Sequence, residues 1–187
     1  MRQVTVKGFA VAALLLVAGL PLRAEPYRIN PSQTQIAFEI GAKGYPLTHG
    51  VFRRFTSRLT IDLDRPQRSS VRFSVASASL DTRSPALDTY VRGPAFLDSD
   101  RYPDIRFTST SVEKLDDSSV RVSGDMTLLG TTRPESFTVE VKRDGGRGFS
   151  FHAEFGVRRS RYGMTAGLPL VADDVRIIVA AHADGSQ

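Results

Sequence analysis

The sequence predicts an all-β fold, a closed antiparallel barrel or a sandwich of eight strands with one short helical segment. Three observations lead there. Apolar and polar residues alternate with period two in eight successive segments. Turn-forming clusters such as Asp64-Arg65-Pro66, Asp116-Asp117-Ser118 and Asp144-Gly145-Gly146 separate them. Only one stretch has helical spacing, too little to cover a sheet face, so the strands must bury their apolar sides against one another. An eight-stranded barrel is just wide enough inside to be filled by side chains or to hold one small ligand.

Along the chain, the first strand carries Ile36, Phe38 and Ile40 on one face. The second places Phe55, Ser57, Leu59, Ile61 and Leu63 on its dry face, with Thr56, Arg58, Thr60 and Asp62 on the wet one. Val71, Phe73 and Val75 mark the third, and Ile105 and Phe107 the fourth. Between these two, Pro85 to Arg92 sets Leu87, Tyr90 and Val91 at helical spacing, with Ser84 as N-cap and Gly93-Pro94 as the stop. The fifth strand has Val120, Val122, Met126 and Leu128 opposed to Arg121, Ser123, Asp125 and Thr127. Phe137, Val139 and Val141 form the sixth; the alternation there rules out a helix cap at Thr132 and Glu135. The seventh is the clearest, with Phe149, Phe151, Ala153, Phe155 and Val157 interleaved with Ser150, His152, Glu154 and Gly156. It follows a hairpin turn at Gly145-Gly146-Arg147-Gly148, and Val175, Ile177 and Val179 make the eighth.

The 187 residues suit one domain, and 41% hydrophobic with 24% charged residues is the usage of a chain that folds in water. Met1 to Lys7 is positively charged, Gly8 to Leu20 is apolar or small, Pro21 stops the run and Ala24 fits a cleavage site. Residues 1–24 therefore read as a signal peptide and residues 25–187 as the exported domain. The run falls short of the roughly 20 residues that cross a bilayer, so no stable membrane insertion is expected. Removing Arg2, Lys7 and Arg23 takes the formal net charge from +5 to +2, a weak footprint for nucleic acid. With no cysteine, disulfides, thiolate metal sites and cysteine nucleophiles are excluded, and a periplasmic location fits a chain held by its core alone. His49, His152 and His182 are too far apart in sequence for a metal-ligand motif, so neither metal nor cofactor is expected. His152-Ala153-Glu154 lacks the cysteines of a zinc deaminase, and neither a Gly-x-Ser-x-Gly elbow nor a P-loop occurs. No catalytic residue is assigned.

Five segments carry a resemblance. They are Tyr27-Arg28-Ile29-Asn30 with Ile36-Ala37-Phe38; Gly50-Val51-Phe52-Arg53-Arg54-Phe55; and Asp88 through Phe96-Leu97-Asp98 to Tyr102-Pro103-Asp104-Ile105-Arg106-Phe107-Thr108-Ser109-Thr110. Gly124-Asp125-Met126-Thr127-Leu128-Leu129-Gly130-Thr131-Thr132-Arg133-Pro134 and Arg159-Ser160-Arg161-Tyr162-Gly163-Met164 complete the set. In this order, from Tyr27 to His182, the chain resembles the YceI-like family of periplasmic polyisoprenoid-binding proteins. The resemblance implies an eight-stranded antiparallel, lipocalin-like barrel over residues 25–187, with a long apolar cavity for polyprenyl chains or similar amphiphiles. Gln33 and Ala42 stand where the family often has histidines, and Arg161 where an aspartate is common.

The eleven phenylalanines, in a chain without tryptophan, supply the candidate wall. Phe38, Phe55, Phe73, Phe107, Phe137, Phe151 and Phe155 would point inward, joined by Phe52, Ile36, Leu59, Met126 and Met164. Pro85 to Leu97 is the candidate lid, with Leu87, Tyr90, Val91, Phe96 and Leu97 on its apolar side. Arg159, Arg161 and Tyr162 are the head-group candidates, since guanidinium matches phosphate or carboxylate; Arg159 and Arg161 share a face if the strand continues, and solvated surface charge is the favoured role for the arginines. The expected function is non-catalytic binding and carriage of a polyprenyl lipid, a quinone precursor or a fatty acid or amide, with a homodimer among the assemblies open to it. The alternatives are a stress-linked envelope interaction protein with a filled barrel, and a lipid-modifying enzyme.

Overall fold

The computed structural model describes residues 25–62, 64–144 and 148–185. The signal-peptide assignment of residues 1–24, the place of Leu63 on the second strand and the turn residues Gly145, Gly146 and Arg147 lie outside the described residues. In chain order the elements are β1 (Glu25–Ile29), β2 (Gln35–Ala42), β3 (Tyr45–Phe52), β4 (Phe55–Ile61), β5 (Ser70–Ala76), β6 (Leu80–Asp81) and α1 (Pro85–Arg92). There follow β7 (Asp104–Lys114), β8 (Ser119–Leu128), β9 (Thr131–Arg143), β10 (Phe149–Arg158) and β11 (Asp174–Gly185).

These strands make a ring of eight. β1 and β2 both pair with β11, β1 through Ile29↔Ala183 and β2 through Gln35↔Ala180. They are halves of one barrel strand, parted where Pro31, which has no N–H to give a ladder, starts a 3-10 turn. β3 pairs with β2 and β4 with β1, so β3 and β4 form the next strand with a break at Arg53-Arg54. β5 on β4 and β6 on β3 form the third, parted by a turn at Ser77–Ser79. β7 to β11 follow in sequence order, and β1 on β11 closes an eight-stranded antiparallel barrel. Each predicted strand is present, but β1, β3 and β6 are halves that alternation does not reveal. β3 begins Tyr45-Pro46-Leu47 at an exposed tip, with Tyr45 77% and Leu47 49% exposed. Further along β3, Gly50 stands where a Cβ would meet the Phe38 ring at 2.4 Å, so glycine lets that ring lie flat on the strand.

Gly124 on β8 is the tightest backbone approach. A Cβ there would lie 2.4 Å from the Thr108 carbonyl oxygen, beside the bulge in β7 between Ser109 and Ser111. Backbone cannot step aside as a side-chain tip can. Gly124→Ala is therefore expected to destabilise the barrel by about 1–3 kcal/mol, read as a lower denaturant midpoint; an unchanged midpoint would show that the ladder relaxes freely.

The helix has the predicted bounds but a different anchor. Ser84 occupies the N-cap position without a side-chain cap bond. Instead the buried Asp88 accepts from Thr82, through its N–H at 2.8 Å and its hydroxyl at 2.7 Å, which ties α1 to the segment after β6. Among the described residues β6 pairs only with β3, whereas β7 pairs with β5 and β8, so at this end the ladder ring is open between β6 and β7. No helix among the described residues is long and apolar enough to cross a membrane.

Candidate functional site

The barrel is hollow. Its interior holds a cavity of about 440 Å³, within the usual range of roughly 300–1,000 Å³ for small-molecule sites, and its wall is almost wholly apolar. Inward alternation builds the middle of that wall. Phe137 stacks on Phe155 with ring centres 4.2 Å apart and 9° between planes, and Phe107 tilts onto Phe137 at 5.2 Å. Phe73, Phe151, Ile36, Leu59 and Met126 continue the surface, and Phe38 and Phe52 meet at 5.8 Å. At the helix end Leu87, Tyr90, Val91, Phe96 and Leu97 line the cavity, together with Met164. Tyr90 is 61% exposed and still on the wall, so the wall reaches the surface at this end. Its ring meets Phe96 edge-on at 5.1 Å.

One predicted wall residue falls outside. Phe55 is half-buried and packs on Phe73 at 6.0 Å, and it is not part of the lining. Two residues assigned to the wet face come inside. β4 ends at Ile61, where the chain turns across the far end of the barrel, and Leu59, Thr60, Ile61 and Asp62 all reach the wall. Alternation holds only while the strand does. Pro66 and Ser69, on the return to β5, complete that end.

The three head-group candidates do not act together. β10 ends at Arg158 and Arg159–Tyr162 form a 3-10 turn, so Arg159 and Arg161 share no strand face. Arg159 is not solvated charge: it is 1% exposed. Its guanidinium donates to four backbone carbonyls, those of Ala172 at 2.8 Å, Met164 at 2.9 Å, Ala166 at 2.8 Å and Val171 at 3.1 Å. Burial lowers its pKa from the ordinary arginine value, with the charge of Asp173 opposing. Arg159 touches the cavity, but its donors are committed to shaping the segment 164–172. Tyr162 is 1% exposed and donates to Glu135 Oε1 at 2.8 Å; burial, then that hydrogen bond, pushes its pKa well up. Arg161 pairs with the same carboxylate at 3.2 Å, and neither residue is on the wall.

A second polar group, not visible in the sequence, lies outside the cavity. Ser150, His182 and Asp144 meet where β10 starts and β11 ends, and Asp184 closes on the other side of the imidazole. Asp144 takes both the Ser150 hydroxyl and His182 Nδ1, the latter at 3.0 Å, while Nε2 faces Asp184 at 3.2 Å. The imidazole is thus held between carboxylates, with the serine 3.5 Å away, the arrangement of a clasp rather than of a base activating a nucleophile. Among the described residues no group of three or more histidine, cysteine, aspartate or glutamate side chains is placed to hold a metal ion.

Comparison with known proteins agrees with this architecture. The YceI-like domain matches residues 27–183. Protein YceI of Salmonella arizonae is 29% identical over 182 residues, covering 94% of each chain. Among solved structures, BcnA of Burkholderia cenocepacia superposes with a TM-score of 0.78 at 21% identity, over 83% of this chain and 99% of that one. A polyisoprenoid binding domain from Saccharophagus degradans superposes with a TM-score of 0.70 at 12% identity, over 88% and 100%.

Proposed function

Because the chain belongs to the YceI-like family, we propose that it binds a polyisoprenoid or similar single-chain amphiphile inside its barrel and carries it without altering it chemically. The hollow, ring-lined interior carries this reading. A hydrocarbon chain offers such a wall only dispersion and dehydration, at about 0.8 kcal/mol for each methylene buried, so length of contact sets affinity. Prenyl chains, with a methyl branch on every isoprene unit, present bulk that flat phenylalanine faces accommodate. The name of the Saccharophagus degradans domain points to the same ligand class. Quinone precursors and fatty acids or amides share the needed shape. The reading of residues 1–24 as a signal peptide supports a periplasmic site for this activity.

Protein recovered from the periplasm of an expressing bacterium is expected to carry an apolar molecule, seen as a mass increment in native mass spectrometry and recovered by solvent extraction. Protein that arrives empty and takes up neither geranylgeraniol nor oleamide would overturn the proposal.

A further inference from the structure

Resting on that reading, we propose that the helix end of the barrel docks on an anionic lipid bilayer. The docking surface is an apolar rim made by the β2–β3 tip, α1 and the segment 164–172, and the ligand passes there between acyl chains and cavity without crossing water.

The placement of exposed apolar side chains carries this. Six large hydrophobic residues are well exposed among the described residues: Tyr45, Leu47, Tyr90, Leu115, Leu168 and Leu170. Five of them belong to one end. β3 and β4 run as one barrel strand from Tyr45 to Ile61, which sets Tyr45 and Leu47 at the end opposite Ile61. β6 pairs with β3 through Phe52↔Leu80 and then Val51↔Asp81, so the chain enters α1 heading the way of Tyr45 and brings Tyr90 to the same end. The segment 164–172 is fastened there as well. The Lys43 N–H donates to the Leu170 carbonyl at 2.7 Å, the Ala172 N–H donates to the Gly41 carbonyl at 2.8 Å, and Ala42 bridges to Val171. Leu115 alone lies at the far end, just past the finish of β7.

Single exposed leucines are ordinary on a protein surface, whereas a gathering of them at one rim marks an interaction site. The four bonds from Arg159 hold the backbone of 164–172, so Leu168 and Leu170 are presented on a fixed frame. Charge selects the occupant. Segments 43–47, 83–90 and 165–170 carry two exposed cations, Lys43 and Arg83, and one acid, Asp88, which is buried. The flanking acids Asp81 and Asp173 each face an arginine, Arg53 at 2.8 Å and Arg158 at 3.8 Å. Tyrosine and leucine beside lysine suit the boundary of a bilayer, where rings and aliphatic chains enter the acyl layer while hydroxyl and ammonium stay with the headgroups. Cations without exposed acids favour anionic headgroups. The cavity wall reaches the surface at this same rim, at Tyr90, so docking sets the apolar interior against the layer in which a prenyl chain dissolves.

Flotation of residues 25–187 with vesicles of equal parts phosphatidylcholine and phosphatidylglycerol tests the rim, with vesicles of phosphatidylcholine alone for comparison. The protein is expected to float with the anionic vesicles. Combining Tyr45→Ser with Leu170→Ser should weaken that partition by at least about tenfold, and Lys43→Glu by at least about fivefold, while Leu115→Ser leaves it unchanged. All four positions are exposed, and circular dichroism checks that the variants fold. Delivery of geranylgeraniol from loaded anionic vesicles should speed up in proportion to vesicle concentration, as collision requires. Absence of flotation, equal flotation of the double variant, or a delivery rate indifferent to vesicle concentration would each overturn the inference. So would a wild-type dimer that the double variant splits without any vesicle binding, since the rim would then face a second copy of the chain. Uptake of geranylgeraniol added without vesicles is read separately. Uptake with no vesicle binding removes the docking surface and leaves the carrier reading, and vesicle binding with no uptake does the reverse.

Discussion

Arg159→Met is expected to lower the stability of the protein by about 3–5 kcal/mol, the largest loss from any single change considered. The thioether nearly fills the space but leaves the carbonyls of Met164, Ala166, Val171 and Ala172 without their donor. Arg159→Lys keeps the charge yet recovers little, because three donors on one nitrogen cannot span carbonyls spread over the segment 164–172 as a planar fork does. Chemical denaturation reads both variants. Were the midpoint of Arg159→Met unchanged, the guanidinium would have to be exposed or replaceable by water, contrary to its 1% exposure.

Ala153→Phe is expected to abolish uptake of apolar ligand, weakening it by at least about 100-fold, while the barrel stays folded. Ala153 lies on the cavity wall, paired in the ladder with Val139 and Val179. A ring placed there enters free volume, so the overpacking cost of about 1–3 kcal/mol met in a filled core should not appear. Dye displacement and thermal unfolding together separate the outcomes. Retained uptake would place the ligand elsewhere, and a large loss of stability would mean that the interior is already packed.

Much of this wall is legible in the sequence because period-two alternation is a local property. Phe151, Ala153 and Phe155 face one way whatever the rest of the chain does, as long as the strand is regular. What alternation misses are the places where strands stop. The 3-10 turns at Pro31–Gln33 and Ser77–Ser79 split barrel strands into halves, β3 breaks the alternation with Val51 beside Phe52, and β6 is only two residues long. Asp62 looks solvated by parity and ends on the wall because the strand has finished one residue earlier. Arg158, Arg159 and Arg161 are alike in sequence. Only the return of the segment 164–172 across the barrel end buries the middle one, a contact between residues that no short-range pattern encodes.

The unzipped seam beside α1 separates two properties that a fully sealed can would bind together. Swinging that short helix aside severs the Thr82–Asp88 tether, the Arg92 contact to the Leu80 carbonyl, the Tyr90–Phe96 ring contact and the backbone bonds from Leu97 and Ser99 to the Val91 and Arg92 carbonyls, while the interstrand ladders stay in place. In the proposed carrier, dwell time of the cargo would be set by this hatch and durability of the vessel by its staves. The contacts holding the helix are few and lie outside the ladders, so changing them leaves the barrel's own stability largely untouched.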